Sequence, residues 1–479
     1  MRSLVCAVSL YFAVGELTID IAVSSARAPA NAVPPGFTSF SASDAALDVL
    51  SATTADGAFS PRPSFVNLMN LLGGGSNIRL GHFWAPSTYS NKTFPFPQAN
   101  ASTIARIADA LAAFRGTGTP MVPPIDVADG ALVAAVGGAF ARFLPAAQFN
   151  GLELANEPDI SSFRNDPTRY AVTLGVWLDA IESAGVFRAV HAPVLAGTSW
   201  WPAMPSFLKA YGPRIRAFVQ HRYGLSACSK TPPTPEALMR VVPTWTTSND
   251  SALLGTVASA ELPFIVGEGN TVSCNGTRGV SDVFASALYA VDASLSALEV
   301  NVSAFKWHGI GDEMPTFTYQ PIYYNTSRLR EPGHDEATPR PLFLGLWLLA
   351  DAAPSGSVLL RTVVNATGTS LLRAWALSVG ARVRTVVLHK DAAAGDAVAR
   401  VIPASPCAPG DFATLSRLLP GPGGLSAKAG STYANQTFDG TTNGVPAGIR
   451  ATETVPCSAG VYTFNATAGS AAVLEYQLP

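Results

Sequence analysis

The chain has 479 residues, 48% of them hydrophobic and 13% charged, with a formal net charge of −2. That is enough apolar material for roughly two or three cored domains, and it excludes a disordered or fibrous chain. With near-neutral charge and no run of Lys or Arg, electrostatic docking to nucleic acid or an anionic membrane is excluded, as is a strongly basic groove for a sulfated polymer.

The N-terminus reads as a secretory signal, residues 1–15. Arg2 supplies the positive end, Leu4 to Val14 the apolar core, and Ala13-Val14-Gly15 the small residues before a cut at Glu16. A second small-residue site follows Ala28. The earlier cut is preferred because "LTIDIAV" (17–23) alternates as a half-buried strand of the mature chain should. Asn-x-Ser/Thr occurs at Asn91, Asn100, Asn249, Asn275, Asn301, Asn325, Asn365, Asn435 and Asn465, a density that predicts a secreted, N-glycosylated protein. Cys6 leaves with the signal. Cys228, Cys274, Cys407 and Cys457 remain, an even count that outside the cell predicts two disulfides, with three pairings open. After the signal there is no apolar run long enough to span a bilayer and no lipid-anchor tail, so a soluble monomer is expected.

From residue 37 onward, short apolar runs alternate with helical patterns. The predicted strands are "FTSFS" (37–41), "NIRLG" (77–81), "MVPPI" (121–125), "FNGLELA" (149–155), "APVLAG" (192–197), "IRAFVQHRY" (215–223), "LPFIVGE" (262–268) and "VSAFKWH" (302–308). Between them, "STIARIADALAAF", "ALVAAVGGAFARFL", "AVTLGVWLDAIESA" and "SDVFASALYAVDASLSAL" carry apolar residues at helical spacing, the last with Ser281-Asp282 as its start. Strand–helix units repeated in this way predict a (β/α)8 TIM barrel over 37–352. A doubly wound sheet is disfavoured because Gly73-Gly74-Gly75 precedes a strand and opens no helix. Beyond "ADAAPSGS" (350–357) the strand-like runs "SVLLRTVV", "TSLLRAWALSV", "ARVRTVVLHK", "GVYTFNAT" and "AAVLEYQL" predict a C-terminal β-sandwich over 353–479. The segment 16–36 has no helix after its strand and is expected to join that sheet.

Two strands end on carboxylates. "GLELANEPD" (151–159) climbs through an apolar run and stops at Asn156-Glu157-Pro158, and "PFIVGEGN" (263–270) stops at Glu268. Either alone reads as a turn or a solvated charge. As the ends of the fourth and seventh barrel strands, both fall at the C-terminal mouth, where they can face each other. Paired carboxylates with divergent acidities are what breaking a glycosidic bond requires: one protonates the leaving oxygen, the other attacks the anomeric carbon. The histidines show no His-x-x-x-His metal spacing, and no Gly-x-Ser-x-Gly elbow is present, so neither metal nor cofactor is expected.

These motifs resemble the clan of (β/α)8 retaining glycosidases, and within it glycoside hydrolase family 79, the heparanase and β-glucuronidase family. "LELANEPD" resembles the acid/base motif and "VGEGNTVSCNGTRGVSDVFASALYAVD" the nucleophile loop and following helix. "VNLMNLLGGGSNIRLG", "VQHRYGLSAC" and "STYANQTFDG" resemble the second barrel unit, the sixth strand and the β-domain. The resemblance implies Glu157 as acid/base, Glu268 as nucleophile, Asn156 on the sugar 2-hydroxyl, and Tyr223 holding the nucleophile. It implies an aromatic floor at Trp307-His308, with core packing of Trp307 the alternative, and Arg79 orienting a substrate carboxylate, with a structural ion pair the alternative. Read from the residues, His82, His221 and His308 line the mouth. Arg222 and Lys306 are further candidates for a cationic cradle. Two departures put substrate identity in doubt: "SFSAS" (39–43) stands where many relatives carry a glutamate, and "RLGHFW" (79–84) replaces the usual R-x-G-G-N-S.

The expected activity is a secreted retaining exo-β-glucuronidase releasing glucuronic acid, or its 4-O-methyl ether, from glycans or glycoconjugates. The alternatives are another clan specificity (β-glucosidase, xylosidase or endoglycanase) and a non-catalytic glycan-binding protein. Because Cys228 and Cys274 follow adjacent barrel strands, and Cys407 and Cys457 lie in the β-domain, the expected pairings are Cys228–Cys274 and Cys407–Cys457.

Overall fold

A computed structural model describes residues 17–477, apart from 43–45, 55, 82–98, 123–129, 162, 187–188, 244, 246–247, 311–316, 326 and 369–370. Its centre is a closed barrel of eight parallel strands: Thr38–Ala42, Asn77–Leu80, Thr117–Val122, Leu152–Leu154, Val190–Leu195, Ala217–Ser226, Phe264–Ser273 and Val302–Ile310. They are the first to eighth barrel strands below. Each pairs with the next, and the eighth closes on the first with Trp307 opposite Phe40. Asn77–Leu80 and Val190–Leu195 are buried at every position, because helices cover them outside and side chains fill the barrel inside.

The third strand differs from expectation. It begins at Thr117, not Met121, and Pro123 and Pro124 lie outside the described residues. Its polar start reads as loop in sequence. Inside the barrel those groups are hydrogen-bonded: Asn77 Nδ2 donates to Thr117 Oγ1 at 2.9 Å, and Thr119 Oγ1 donates to Asn77 Oδ1 at 3.0 Å. The last predicted barrel helix also starts later, at Ala285. Ser281 and Asp282 accept instead from the backbone N–H groups of Thr277 and Gly279, capping the turn ahead of it.

The second domain is one ten-stranded sheet rolled on itself. Phe412–Leu419 pairs antiparallel with Ser470–Gln477, which joins the two faces of the sandwich along an edge. The strand Thr18–Ala32 lies inside this sheet, antiparallel to Val358–Ala366 and parallel to Ala397–Ile402. Ile19, Ile21 and Val23 point into its core, which accounts for the alternation seen in sequence.

Helices Ala285–Glu299 and Pro341–Ala352 fill the space between barrel and sheet, almost wholly buried. They approach so closely that a Cβ at Gly345 would collide with the Ala287 carbonyl. Asp292, fully buried on the first helix, takes Arg373 and Lys390 of the sheet, and Lys390 Nζ also donates to the Val241 carbonyl at 2.8 Å. Asp292→Ala leaves Lys390 at this seam without a carboxylate and Arg373 with only Glu299, 3.8 Å away. The expected loss is about 3–5 kcal/mol of unfolding free energy. A denaturant midpoint matching wild type would show that the seam tolerates the loss of Asp292.

Among the described residues, no helix is long and apolar enough to cross a membrane. Cys228 bonds Cys274 across the loops after the sixth and seventh strands (Cα–Cα 6.0 Å), and Cys407 bonds Cys457 in the sheet domain (6.1 Å). These are the expected pairings.

Candidate active site

The Asn-Glu-Pro-Asp segment is a turn, and a strained one. Ala155 and Glu157 adopt positive φ, 63° and 49°, where side chains other than glycine are disfavoured. Neighbouring elements hold it there. The Glu157 N–H donates to the Val194 carbonyl at 3.0 Å, and the buried Asp159 carboxylate accepts from the N–H groups of Ala196 (3.0 Å) and Gly197 (2.7 Å) after the fifth strand. The strain thereby aims the Glu157 side chain at the barrel mouth.

Glu268 is aimed by a different device. The seventh strand slips in register against both neighbours between Val266 and Gly269. Such an irregularity re-aims a side chain out of the regular ladder. Only glycine fits at 267, because a Cβ there would collide with Val219 Cγ1. The Glu268 carboxylate then meets Arg79 Nη1 on one oxygen and the Tyr223 hydroxyl, at 3.1 Å, on the other. Burial first, and the Glu268 charge second, push the Tyr223 phenol well above its ordinary value, so it stays a donor.

His221 stands between the two glutamates. Its Nδ1 is 2.8 Å from Glu157 Oε1 and 3.6 Å from Glu268 Oε2. Burial alone would lower this imidazole, but the Glu268 charge and the Glu157 hydrogen bond outweigh it and raise it. One atom from each of Glu157, His221 and Glu268 lies within 4.8 Å of the others, the one such trio of His, Cys, Asp or Glu among the described residues. Of the three, Glu268 is bonded by Arg79. Glu268 is nearly buried and Glu157 more open, with side-chain exposures of 8% and 23%.

Below the mouth lies a buried charge chain. Arg79, 1% exposed, donates Nε to Glu153, Nη1 to Glu268 and to Ser41 Oγ (3.2 Å), and Nη2 to Asn156 Oδ1 (2.6 Å). Glu153 takes Lys306 Nζ at 2.9 Å on its other oxygen. Burial would raise the Glu153 carboxyl, but Arg79 and Lys306 bring it down to about 2. His191, also buried here, is lowered to about 3, chiefly by burial and then by Lys306, and is therefore neutral.

The mouth thus gathers Glu157, Glu268, Asn156, Tyr223, His221, His308 and Arg79. Several expected roles need correction. Arg79 holds protein carboxylates and Asn156 instead of facing an open subsite. His221 is 3% exposed and bonded to Glu157, so it serves the carboxylates. Lys306 is fully buried on Glu153. Arg222 points outward, paired with Asp250 and lying over the Trp245 ring. Trp307 is not a floor. It is wholly buried, stacked on Phe305 at 4.5 Å and edge-on to Tyr289 of helix Ala285–Glu299. Side chains alternate along a strand, so with Lys306 and His308 turned inward Trp307 must turn outward. His308 does reach the mouth: its Nδ1 is 2.9 Å from Ser41 Oγ, and its Nε2 is 4.0 Å from Glu268 Oε2. The aromatic ring beside it is Tyr319, 5.6 Å from His308 and 6.3 Å from Tyr223. His82 lies outside the described residues.

Sequence reasoning missed Glu153, Ser41 and Tyr319. Glu153 alone left a signal, a carboxylate between two leucines in a strand with no exposed face.

No protein-family model matches the chain, and no curated protein matches it in sequence. Solved structures do. A 4-O-α-L-rhamnosyl-β-D-glucuronidase from Fusarium oxysporum 12S superposes with a TM-score of 0.71 at 16% identity, covering 95% of this chain and 99% of that one. A GH51 arabinofuranosidase from Xanthomonas axonopodis pv. citri gives 0.66 at 12% identity, covering 96% and 100%. A monomeric β-xylosidase from Caulobacter crescentus CB15 gives 0.60 at 17% identity, covering 96% and 99%. At these identities the likeness is one of fold: a (β/α)8 barrel with an appended β-domain.

Proposed function

We propose that this chain is a retaining glycoside hydrolase that releases terminal glucuronic acid from glycans or glycoconjugates. The observation that carries the reading is the facing pair Glu157 and Glu268, with atoms within 4.8 Å of each other through His221. Retaining glycosidases hold their carboxyls about 5–5.5 Å apart, whereas inverting ones leave room for a water.

Glu268, kept ionised by Arg79 and oriented by Tyr223, attacks the anomeric carbon. The glycosidic bond breaks as Glu157 gives its proton to the departing oxygen. The resulting glycosyl ester on Glu268 is then cleaved by water, whose proton Glu157 takes, restoring both groups. The more open Glu157 suits repeated proton exchange. Arg79 has only donors, so its bond to Asn156 Oδ1 fixes that amide with Nδ2 free to donate to a sugar 2-hydroxyl.

Glucuronide specificity is supported by the family resemblance and by the rhamnosyl-glucuronidase among the similar folds. A second reading, a neutral-sugar glycosidase, is favoured by one observation: Arg79, Arg222 and Lys306 are all taken by protein carboxylates. A panel of 4-nitrophenyl β-glycosides separates them. Hydrolysis of the glucuronide alone is the expected result. Turnover of the glucoside or xyloside alone replaces it with the second reading, and silence on all with glycan binding retained makes the chain a binding protein.

The proposed setting is extracellular, as a glycosylated monomer cut before Glu16. Asn100, Asn249, Asn301, Asn325, Asn365, Asn435 and Asn465 are exposed, Asn275 is half-buried, and Asn91 lies outside the described residues. A cut after Ala28 would remove most of an interior strand of the sheet domain.

A further inference from the structure

We propose that Lys306 is a positioning residue that lets Glu153 and Glu268 both stay ionised while sharing one arginine. The inference rests on the reading of Glu268 as nucleophile only for its kinetic arm.

The chain of contacts is continuous. Lys306 Nζ meets Glu153 Oε1 at 2.9 Å, Glu153 Oε2 meets Arg79 Nε, and Arg79 Nη1 meets Glu268 Oε1. Side-chain exposure along it is 0%, 0%, 1% and 8%. Two cations face two carboxylates with almost no solvent to screen an imbalance, and an unpaired buried charge is costly. Among the described residues Lys306 Nζ has one hydrogen-bond acceptor, Glu153.

Among the described residues, no other titratable neighbour stands in for Lys306 at Glu153. Around Glu153, the remaining group is His191, held neutral by burial. Around Glu268 stand Tyr223, a phenol, His308, and His221, whose raised imidazole lies between the Glu157 and Glu268 carboxylates and acts at that end of the chain, away from Glu153. None supplies the second positive charge that Glu153 needs. Without Lys306 the two carboxylates would compete for Arg79 and take up a proton as a coupled pair. A nucleophile that shares that proton cannot attack.

The test uses three full-length variants: Lys306→Met, Lys306→Arg, and the double variant Lys306→Met/Glu153→Gln, which removes one charge of each sign. The first readout is melting temperature between about pH 4 and about pH 8, which needs no substrate. An unfolded glutamate titrates near about 4.3. If folded Lys306→Met holds an extra proton above that value, its stability falls as pH rises, so its deficit against wild type widens. Lys306→Arg and the double variant should show no such widening. Where Lys306→Met does not accumulate, Lys306→Gln is read the same way. The second readout is kcat/KM against pH. Its acid limb should move up by at least about one unit in Lys306→Met and return in the double variant. A pH-independent deficit in the single variant, or the same slope in the double, overturns the proposal. If wild type cleaves no glycoside, the function reading falls and the melting arm still decides this one.

Discussion

Glu268→Gln is expected to abolish turnover while the protein stays folded. The side chain keeps its size, and its amide oxygen still accepts from Arg79, so packing within the seventh strand is preserved. What is lost is the charge that attacks the anomeric carbon. Removing a nucleophile from a hydrolase costs at least about a thousandfold in kcat. The measurement is the rate on an activated aryl glycoside of the sugar the wild type prefers, with thermal unfolding as the check on folding. A variant that keeps a tenth of the wild-type rate would end the assignment of Glu268.

Glu157→Ala should fail in a different way. An activated phenol leaves without help, so the first step survives, and hydrolysis of the glycosyl ester becomes limiting for want of a base. On poor leaving groups the loss should be about a hundredfold to ten-thousandfold, the range that general acid–base catalysis contributes. The alanine also vacates space beside His221 Nδ1, 2.8 Å from the missing oxygen. Azide can enter there, attack the ester and raise kcat, giving a glycosyl azide of retained configuration. Equal losses on good and poor leaving groups, with no response to azide, would remove Glu157 from the acid/base role.

The local signals in the sequence concern single elements. Apolar runs of four to eight residues mark the barrel strands, because parallel strands covered on both faces tolerate few polar side chains. An apolar run that stops at Asn156-Glu157 or at Glu268 marks the mouth, since a carboxylate at a strand end is affordable only where it meets water or a partner. The alternation of Ile19, Ile21 and Val23 marks a strand with one buried face. The cysteine pairing follows once the order of strands is known.

Where the sequence misleads, the deciding quantity is non-local. Thr117-Gly118-Thr119 looks like loop until Asn77, forty residues earlier, supplies its hydrogen bonds. Trp307 and Lys306 are adjacent, and alternation requires them to face opposite ways, but the stagger of the closed barrel decides which one faces in. Arg79, Arg222 and Lys306 are equivalent as candidate cations in one dimension. In three, Glu153, Glu268 and Asp250 claim them, because a buried charge without an opposite charge is too costly to keep. The sequence by itself therefore determined the order of the barrel strands and the two glutamates at the barrel mouth, since local periodicity and an abrupt end to an apolar run carry both. Only the tertiary structure decided which charges neutralise one another beneath those glutamates, because that depends on distances between residues as far apart as Arg79 and Lys306.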